Sequence, residues 1–175
     1  MMDTIQASIV NTTEADKTFI YWLFDQAISY QQKNGYPAWK GYDKDALQTE
    51  IANHLQFKIV NGQDILGVFS ISYSDPGTWG ERDTGNALFL HRTITNPNFK
   101  GQKVFEKIRN WAIQFAREKH LGFIRMDTWT DNPQLIAYYQ SHGFQVVAER
   151  RTPDVPELPE QNRNLNVTLL EMKIE

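Results

Sequence analysis

The sequence contains no cysteine, which excludes disulfide bonds, thiolate metal sites and a cysteine nucleophile together. No stretch approaches the roughly 18 consecutive apolar residues of a membrane span, and the opening Met-Met-Asp-Thr-Ile-Gln lacks the basic region and apolar run of a secretory leader. Surplus positive charge is missing as well. The formal net charge is −3, and no group of Lys and Arg is dense enough for the electrostatic footprint that nucleic acid demands. Four histidines, His54, His91, His120 and His142, fall without ligand spacing, so no metal is expected. Gly-x-Ser-x-Gly, P-loop and dinucleotide fingerprints are absent. These absences lead to the expectation of a soluble, cytoplasmic protein that binds neither nucleic acid nor membrane.

What is present suits a globular domain. With 175 residues, 41% hydrophobic and 22% charged, the chain can bury a real core, and a single domain spanning 1–175 is expected. Ile5, Ala7 and Ile9 alternate as in a half-buried strand, and Thr12 or Thr13 then caps a helix over about 14–34, which Gly35 ends. An aromatic loop, Tyr36-Pro37-Ala38-Trp39-Lys40-Gly41-Tyr42, leads to a second helix through Leu47 and Ile51 to Leu55. Asn61-Gly62 between Phe57–Val60 and Ile65–Tyr73 signals a β-hairpin. Residues 74–86 read as a loop with Trp79 exposed in it, followed by a strand at 87–95. Val104, Ile108, Trp111, Ala112 and Phe115 then mark one face of a long helix. Strands at 145–149 and 166–174, separated by a proline- and acid-rich excursion at 152–161, close the chain. Early hairpins and later strand–helix alternation predict an α/β protein with a mixed sheet and helices on both faces.

The segment 123–144 is the most informative. A buried strand at 123–128 runs into Asn132-Pro133, where the Asn side chain can accept from an orphan backbone N–H and proline has no N–H to lose. The helix at 133–142 is stopped by Gly143, which takes a left-handed C-terminal cap at no steric cost, with Phe144 able to fold back. Tyr139 is thereby pinned beside a strand end, where α/β proteins tend to build sites.

Together, residues 96–105 and 127–144 resemble the GNAT superfamily of acyl-CoA-dependent N-acyltransferases, and the element order fits that family over almost the whole chain. The resemblance implies a three-layer fold whose central sheet is mixed, mostly antiparallel, with splayed parallel strands. It implies acetyl-CoA as co-substrate, no metal, and a primary amine as acceptor, attacked directly in a ternary complex. The family's pyrophosphate loop, Gln/Arg-x-x-Gly-x-Gly/Ala, is matched imperfectly by Lys100, Gly101, Gln102, Lys103, Val104 and Phe105. Two readings stand: Lys103 is already helical, where glycine's freedom is unnecessary and its ammonium helps bind phosphate, or the loop has lost its grip on the cofactor. Thr93, Ile94 and Thr95 correspond to the strand end that offers backbone groups to pantetheine, and Asn132 to a further contact with that arm.

By the same resemblance Tyr139 is the acid that protonates the departing thiolate, since a phenol with a reference pKa near ~10 can donate at neutral pH. Tyr138 beside it reads as a core aromatic. His91 and Asp127 flank the expected cleft and could take a proton from the amine. Each also has a structural reading, His91 as a half-buried surface residue and Asp127 as partner of Arg125 or Arg92. Trp39, Tyr42, Trp79 and Trp129 are candidate walls for the acceptor, although packing explains each singly. The expected partner is a small-molecule amine or a peptide N-terminus, with a homodimer left open. The rival function is a non-catalytic acyl-CoA-binding module or scaffold on the same fold. A phosphotransfer domain using Asp127 would need a parallel strand order that the Asn61-Gly62 hairpin disfavours.

Overall fold

The computed structural model describes residues 6–36 and 39–175. The expectations placed on Ile5, Pro37 and Ala38 lie outside those residues. Twelve principal elements follow one another: β1 (Ser8–Asn11), α1 (Lys17–Lys33), α2 (Lys44–Ala52), β2 (Gln56–Asn61), β3 (Asp64–Ser72), α3 (Pro76–Trp79), β4 (Ala87–Thr95), α4 (Val104–Glu118), β5 (Phe123–Trp129), α5 (Pro133–Ser141), β6 (Gln145–Arg151) and β7 (Asn166–Lys173). No helix among the described residues is long and apolar enough to cross a membrane.

The strands form one sheet in the order β1-β2-β3-β4-β5-β7-β6, antiparallel everywhere except between β4 and β5. Strand alternation divides the core between its faces. Leu88, Leu90, Ile124 and Met126 point to α4 and α5, where they meet Val104, Phe105, Ile108, Ala112 and Tyr139. On the other face Val68 and Ile94 lie under Ile20, Leu23 and Phe24 of α1 and Leu47 and Ile51 of α2. Farther along that face, Ala87, Phe89, Val167 and Leu169 pack around Trp79. Burying each of the larger side chains contributes about 1.5–3 kcal/mol, so both helical layers are held by the sheet rather than by their own propensity.

The expected loop at 74–86 is different from the sequence reading. Asp75 caps the short α3, its carboxylate accepting from Thr78 N at 3.4 Å, and Trp79 is buried at 1% exposure. Its indole packs edge-on against Phe89, with ring centroids 5.7 Å apart, and under the Arg125 guanidinium at 4.7 Å. An aromatic in a Pro- and Gly-rich stretch reads as exposed only when no sheet face is available to cover it.

The chain at 132–144 follows its sequence signals. Asn132 Oδ1 accepts from Leu135 N at 3.2 Å. At the other end Gly143 sits at φ +95°, its N–H donates to Gln140 O at 3.1 Å, and Phe144 N donates to Tyr139 O at 3.3 Å. That pair of bonds is a Schellman motif, and it fixes the last turn in which Tyr139 lies.

Two adjacent irregularities open the sheet. β4 pairs with β5 only over Ala87–Phe89, while β5 stays paired with β7 as far as Trp129. Against β3, Val68 stands opposite Ile94 and Ser70 opposite His91, so β4 has one residue more than its partner across this interval. The extra residue is accommodated at Arg92, which has φ +47°. A left-handed non-glycine residue costs about 1–2 kcal/mol, and a bulge bends its strand. Beyond Phe89, β4 and β5 therefore part.

Gly67 permits the close approach that seats this bend. A Cβ there would lie 2.6 Å from Ile94 O and 2.9 Å from Val104 Cγ1. Gly67→Ala is expected to destabilise the fold by about 1–3 kcal/mol, seen as a lower urea midpoint, because the backbone contact cannot rotate away.

Candidate active site

A cleft of about 1220 Å³ follows the parting strands, with β4 and β5 as its floor, the α1–α2 region on one side and the β6–β7 connection on the other. Thr93, Ile94 and Thr95 line it from β4, and Met126, Asp127, Thr128 and Trp129 line it from β5. Because β4 has no strand partner on its β5 side beyond Phe89 among the described residues, its backbone groups there are available to a ligand that can pair like a strand.

Tyr139 reaches the cleft from α5 at 7% exposure, whereas Tyr138 is 44% exposed. The sequence reading of Tyr138 as a core aromatic is thus reversed: the helix turns Tyr139 inward and leaves its neighbour at the surface. Phe105 supports the arrangement. Its ring is buried between α4 and α5, with centroids 5.0 Å from Tyr139 and 6.1 Å from Phe144. Burial pushes the Tyr139 phenol up to about 12; the Thr93 hydroxyl offsets part of the rise, while Tyr138 and Asp127 add to it. The phenol is therefore protonated at neutral pH and able to donate.

His91 and Asp127 come together with a residue absent from the sequence reading, Asp75. One donor atom from each of the three lies within 4.8 Å of the others. Asp127 does not pair with Arg125 or Arg92. Arg125 Nε donates to Glu171 at 2.8 Å and its Nη1 to Arg82 O at 2.6 Å, and Arg92 pairs with Glu50. Burial, with the Asp75 charge adding to it, raises the Asp127 carboxyl to about 7. Burial and nearby Arg92 push the His91 imidazole down to about 3, so it stays neutral. Ser72 Oγ lies 2.7 Å from His91 Nε2 and also reaches Ser74 O at 3.1 Å. Two carboxyls and a neutral imidazole thus face one another, with Arg150 acting on Asp75 and Arg92 on His91 from the side and no salt bridge to either carboxyl among the described residues, an arrangement that favours a cationic donor or a metal ion. The scattered sequence positions of the histidines concealed this grouping, since its carboxylates come from other strands and loops. Asp75 did have a signal: Asp75-Pro76 repeats the cap-and-proline pattern of Asn132-Pro133, and both lie at the cleft.

At the opposite end, the turn at 96–103 leads into α4. Lys100 lines the cleft, its Nζ 5.0 Å from the Tyr30 ring centroid. Gly101 has φ +81°, and Gln102 O accepts from Lys107 Nζ at 2.7 Å. Lys103 is not helical: it is the N-cap residue, at φ +54° and ψ +44°. This is a conformation glycine adopts freely, so the departure from the small-residue pattern falls where it is costly, and lysine has no side-chain acceptor with which to cap. The first amides of α4 are consequently uncapped by Lys103, and free helix-start amides suit an anion, but of residues 100–105 only Lys100 lines the cleft itself. Val104 and Phe105 turn inward to the core.

Of the three tryptophans, Trp39 and Trp129 line the cleft with ring centroids 6.4 Å apart. Trp79 lies behind it, in the cluster with Phe89, and is not a wall of the cleft. Asn132, 6% exposed, both caps α5 and lines the cleft.

The model of the acetyltransferase (GNAT) family matches residues 18–144. Among solved structures, a GNAT-family acetyltransferase from Listeria monocytogenes superposes with a TM-score of 0.80 at 17% identity, covering 99% of this chain and 98% of that one. A putative acetyltransferase from Salmonella typhimurium, solved with its cofactor acetyl-CoA, gives 0.67 at 16% identity over 97% and 95% of the two chains. A spermidine N-acetyltransferase from Vibrio cholerae, in complex with CoA and spermine, gives 0.65 at 15% identity over 96% and 95%. No curated protein sequence matches.

The raised Asp127 carboxyl has a consequence for stability. Between its unfolded value near 3.8 and about 7 the folded state holds the proton that the unfolded state releases, so folding stability falls as pH rises through that window. Asp127→Asn removes this loss. The variant is expected to be more stable than wild type by about 1–2 kcal/mol at pH 8, allowing for water in the open cleft, with the advantage vanishing near pH 4. Urea unfolding at the two pH values checks it.

Proposed function

Given that the chain belongs to the acetyltransferase (GNAT) family, and is an acyltransferase on that ground, we propose that it moves an acetyl group from acetyl-CoA to a primary amine by direct attack in a ternary complex. The observation that carries this reading is the placement of a buried, protonated phenol, Tyr139, and an acceptor cluster of Asp75, His91 and Asp127 in one cleft. The solved relatives with acetyl-CoA, and with CoA and spermine, support the choice of donor and of a cationic acceptor.

On this reading the pantetheine pairs along Thr93–Thr95, and the pyrophosphate rests on the amides at the start of α4 with Lys100 and Lys103 beside it. The acceptor arrives as an ammonium and seats among Asp75, His91 and Asp127, whose oxygen and nitrogen lone pairs match its three N–H donors. Trp39 and Trp129 flank its body.

Asp127 carboxylate takes one proton from the ammonium. The freed lone pair attacks the thioester carbonyl carbon, and the C–S bond breaks as the tetrahedral intermediate collapses. Tyr139 gives its proton to the departing sulfur, and the second proton shed by the nitrogen restores the phenol through water. The products are the amide, CoA thiol and one proton released to solvent. A cytoplasmic location belongs to the same reading, as the compartment where the thioester donor is used.

Steady-state kinetics with acetyl-CoA and a panel of primary amines tests the assignment. Tyr139→Phe is expected to lower kcat about 100-fold or more while leaving acetyl-CoA affinity within about twofold of wild type. Acetyl-CoA binding without turnover by wild type on any amine would overturn the enzyme reading in favour of a non-catalytic acyl-CoA-binding scaffold. Asp75→Asn keeps the cap on α3 but removes a charge, so it is expected to raise KM for the amine about tenfold without raising that for acetyl-CoA. Equal effects on both would remove Asp75 from the acceptor site.

A further inference from the structure

Resting on the reading of Thr93–Thr95 as the cofactor edge, we infer that Glu50 is a positioning residue for acetyl-CoA: its carboxylate straps α2 onto the bulge in β4 and holds that edge in its binding shape.

Glu50 sits between Leu47 and Ile51, the two residues that bury α2. Those apolar neighbours pack in the cluster with Val68 and Ile94, the residues opposite each other at one end of the bulge. Glu50 itself takes the polar contacts at the other end. Its Oε1 pairs with Arg92, the residue whose left-handed backbone makes the bulge, and its Oε2 accepts from Ser70 Oγ at 2.6 Å. Ser70 is fully buried and stands opposite His91. One carboxylate therefore holds both strands across the irregularity, from a helix that belongs to neither.

The strap has a target because Arg92 is not glycine. Its backbone conformation is unfavourable on its own and must be maintained by the surroundings. Thr93, Ile94 and Thr95 follow directly, so a relaxed Arg92 would return β4 toward a regular strand and shift their backbone groups. No part of Glu50 has to touch the reacting atoms for this to weaken cofactor binding.

The test is Glu50→Gln, which preserves size and an acceptor for Ser70 but removes the charge that holds Arg92, in wild type and in an Arg92→Gly background where φ +47° carries no strain. In wild type, Glu50→Gln is expected to raise the acetyl-CoA dissociation constant about tenfold and to speed hydrogen exchange at the Thr93, Ile94 and Thr95 amides. In the Arg92→Gly background the same substitution is expected to change affinity by less than about twofold. Equal weakening in both backgrounds, or a lowered melting temperature with no change in affinity and exchange, would overturn the inference. Exchange is read on the free protein. Failure of wild type to bind acetyl-CoA would therefore overturn the donor reading, while the exchange difference between Glu50→Gln and wild type would still decide the strap.

Discussion

The parting of β4 from β5 after Phe89 is the constraint on which the rest of the site depends. A strand inside a sheet normally spends both edges on neighbours, because buried backbone groups without partners are costly. Here β5 keeps β7 to its end while β4, bent at Arg92, leaves one edge open above a protein core. The opening is held from both faces of the sheet. Val104 and Phe105 fix the α4 side, and Leu47, Ile51 and the Glu50–Arg92 pair fix the α2 side. An extended polar ligand with amide groups satisfies such an edge better than water does, since it fills the cleft and pairs with the strand at once.

The cleft is also electrostatically divided. Toward α4 the cleft is lined by Lys100, next to a helix start that has no side-chain cap, which suits an anion. Asp75, His91 and Asp127 supply acceptors elsewhere in it, and burial has already moved Asp127 to about 7 and His91 to about 3. Tyr139 lines the same cleft, kept protonated by burial.

Much of this was legible in the sequence where the cause was local. The Asn61-Gly62 hairpin, the Asn132-Pro133 start and the Gly143 stop all form because neighbouring residues satisfy neighbouring backbone groups, and each is found within a residue or two of its expected place. The element order and the mixed sheet with helices on both faces followed from periodicity for the same reason. The bulge was not legible. No glycine marks it, and Arg92 holds its left-handed backbone against a carboxylate 42 residues earlier in the chain. Lys103 misled likewise, since a lysine at a helix start reads as helical when only its neighbours are considered. Trp79 looked exposed because the sheet face that covers it is built by strands on both sides of it in sequence. The Asp75–His91–Asp127 grouping could be found only after the strands were placed, although Asp75-Pro76 announced a cap at one of its corners.

The central claim is that the parted strands place the sulfur of coenzyme A against Tyr139. A crystal structure of the protein with CoA tests it most directly. The account predicts pantetheine running along Thr93–Thr95, its pyrophosphate at the first amides of α4, and its sulfur within about 3.5 Å of the Tyr139 hydroxyl. CoA bound elsewhere on the protein, or bound in the cleft with its sulfur out of reach of Tyr139, would contradict it.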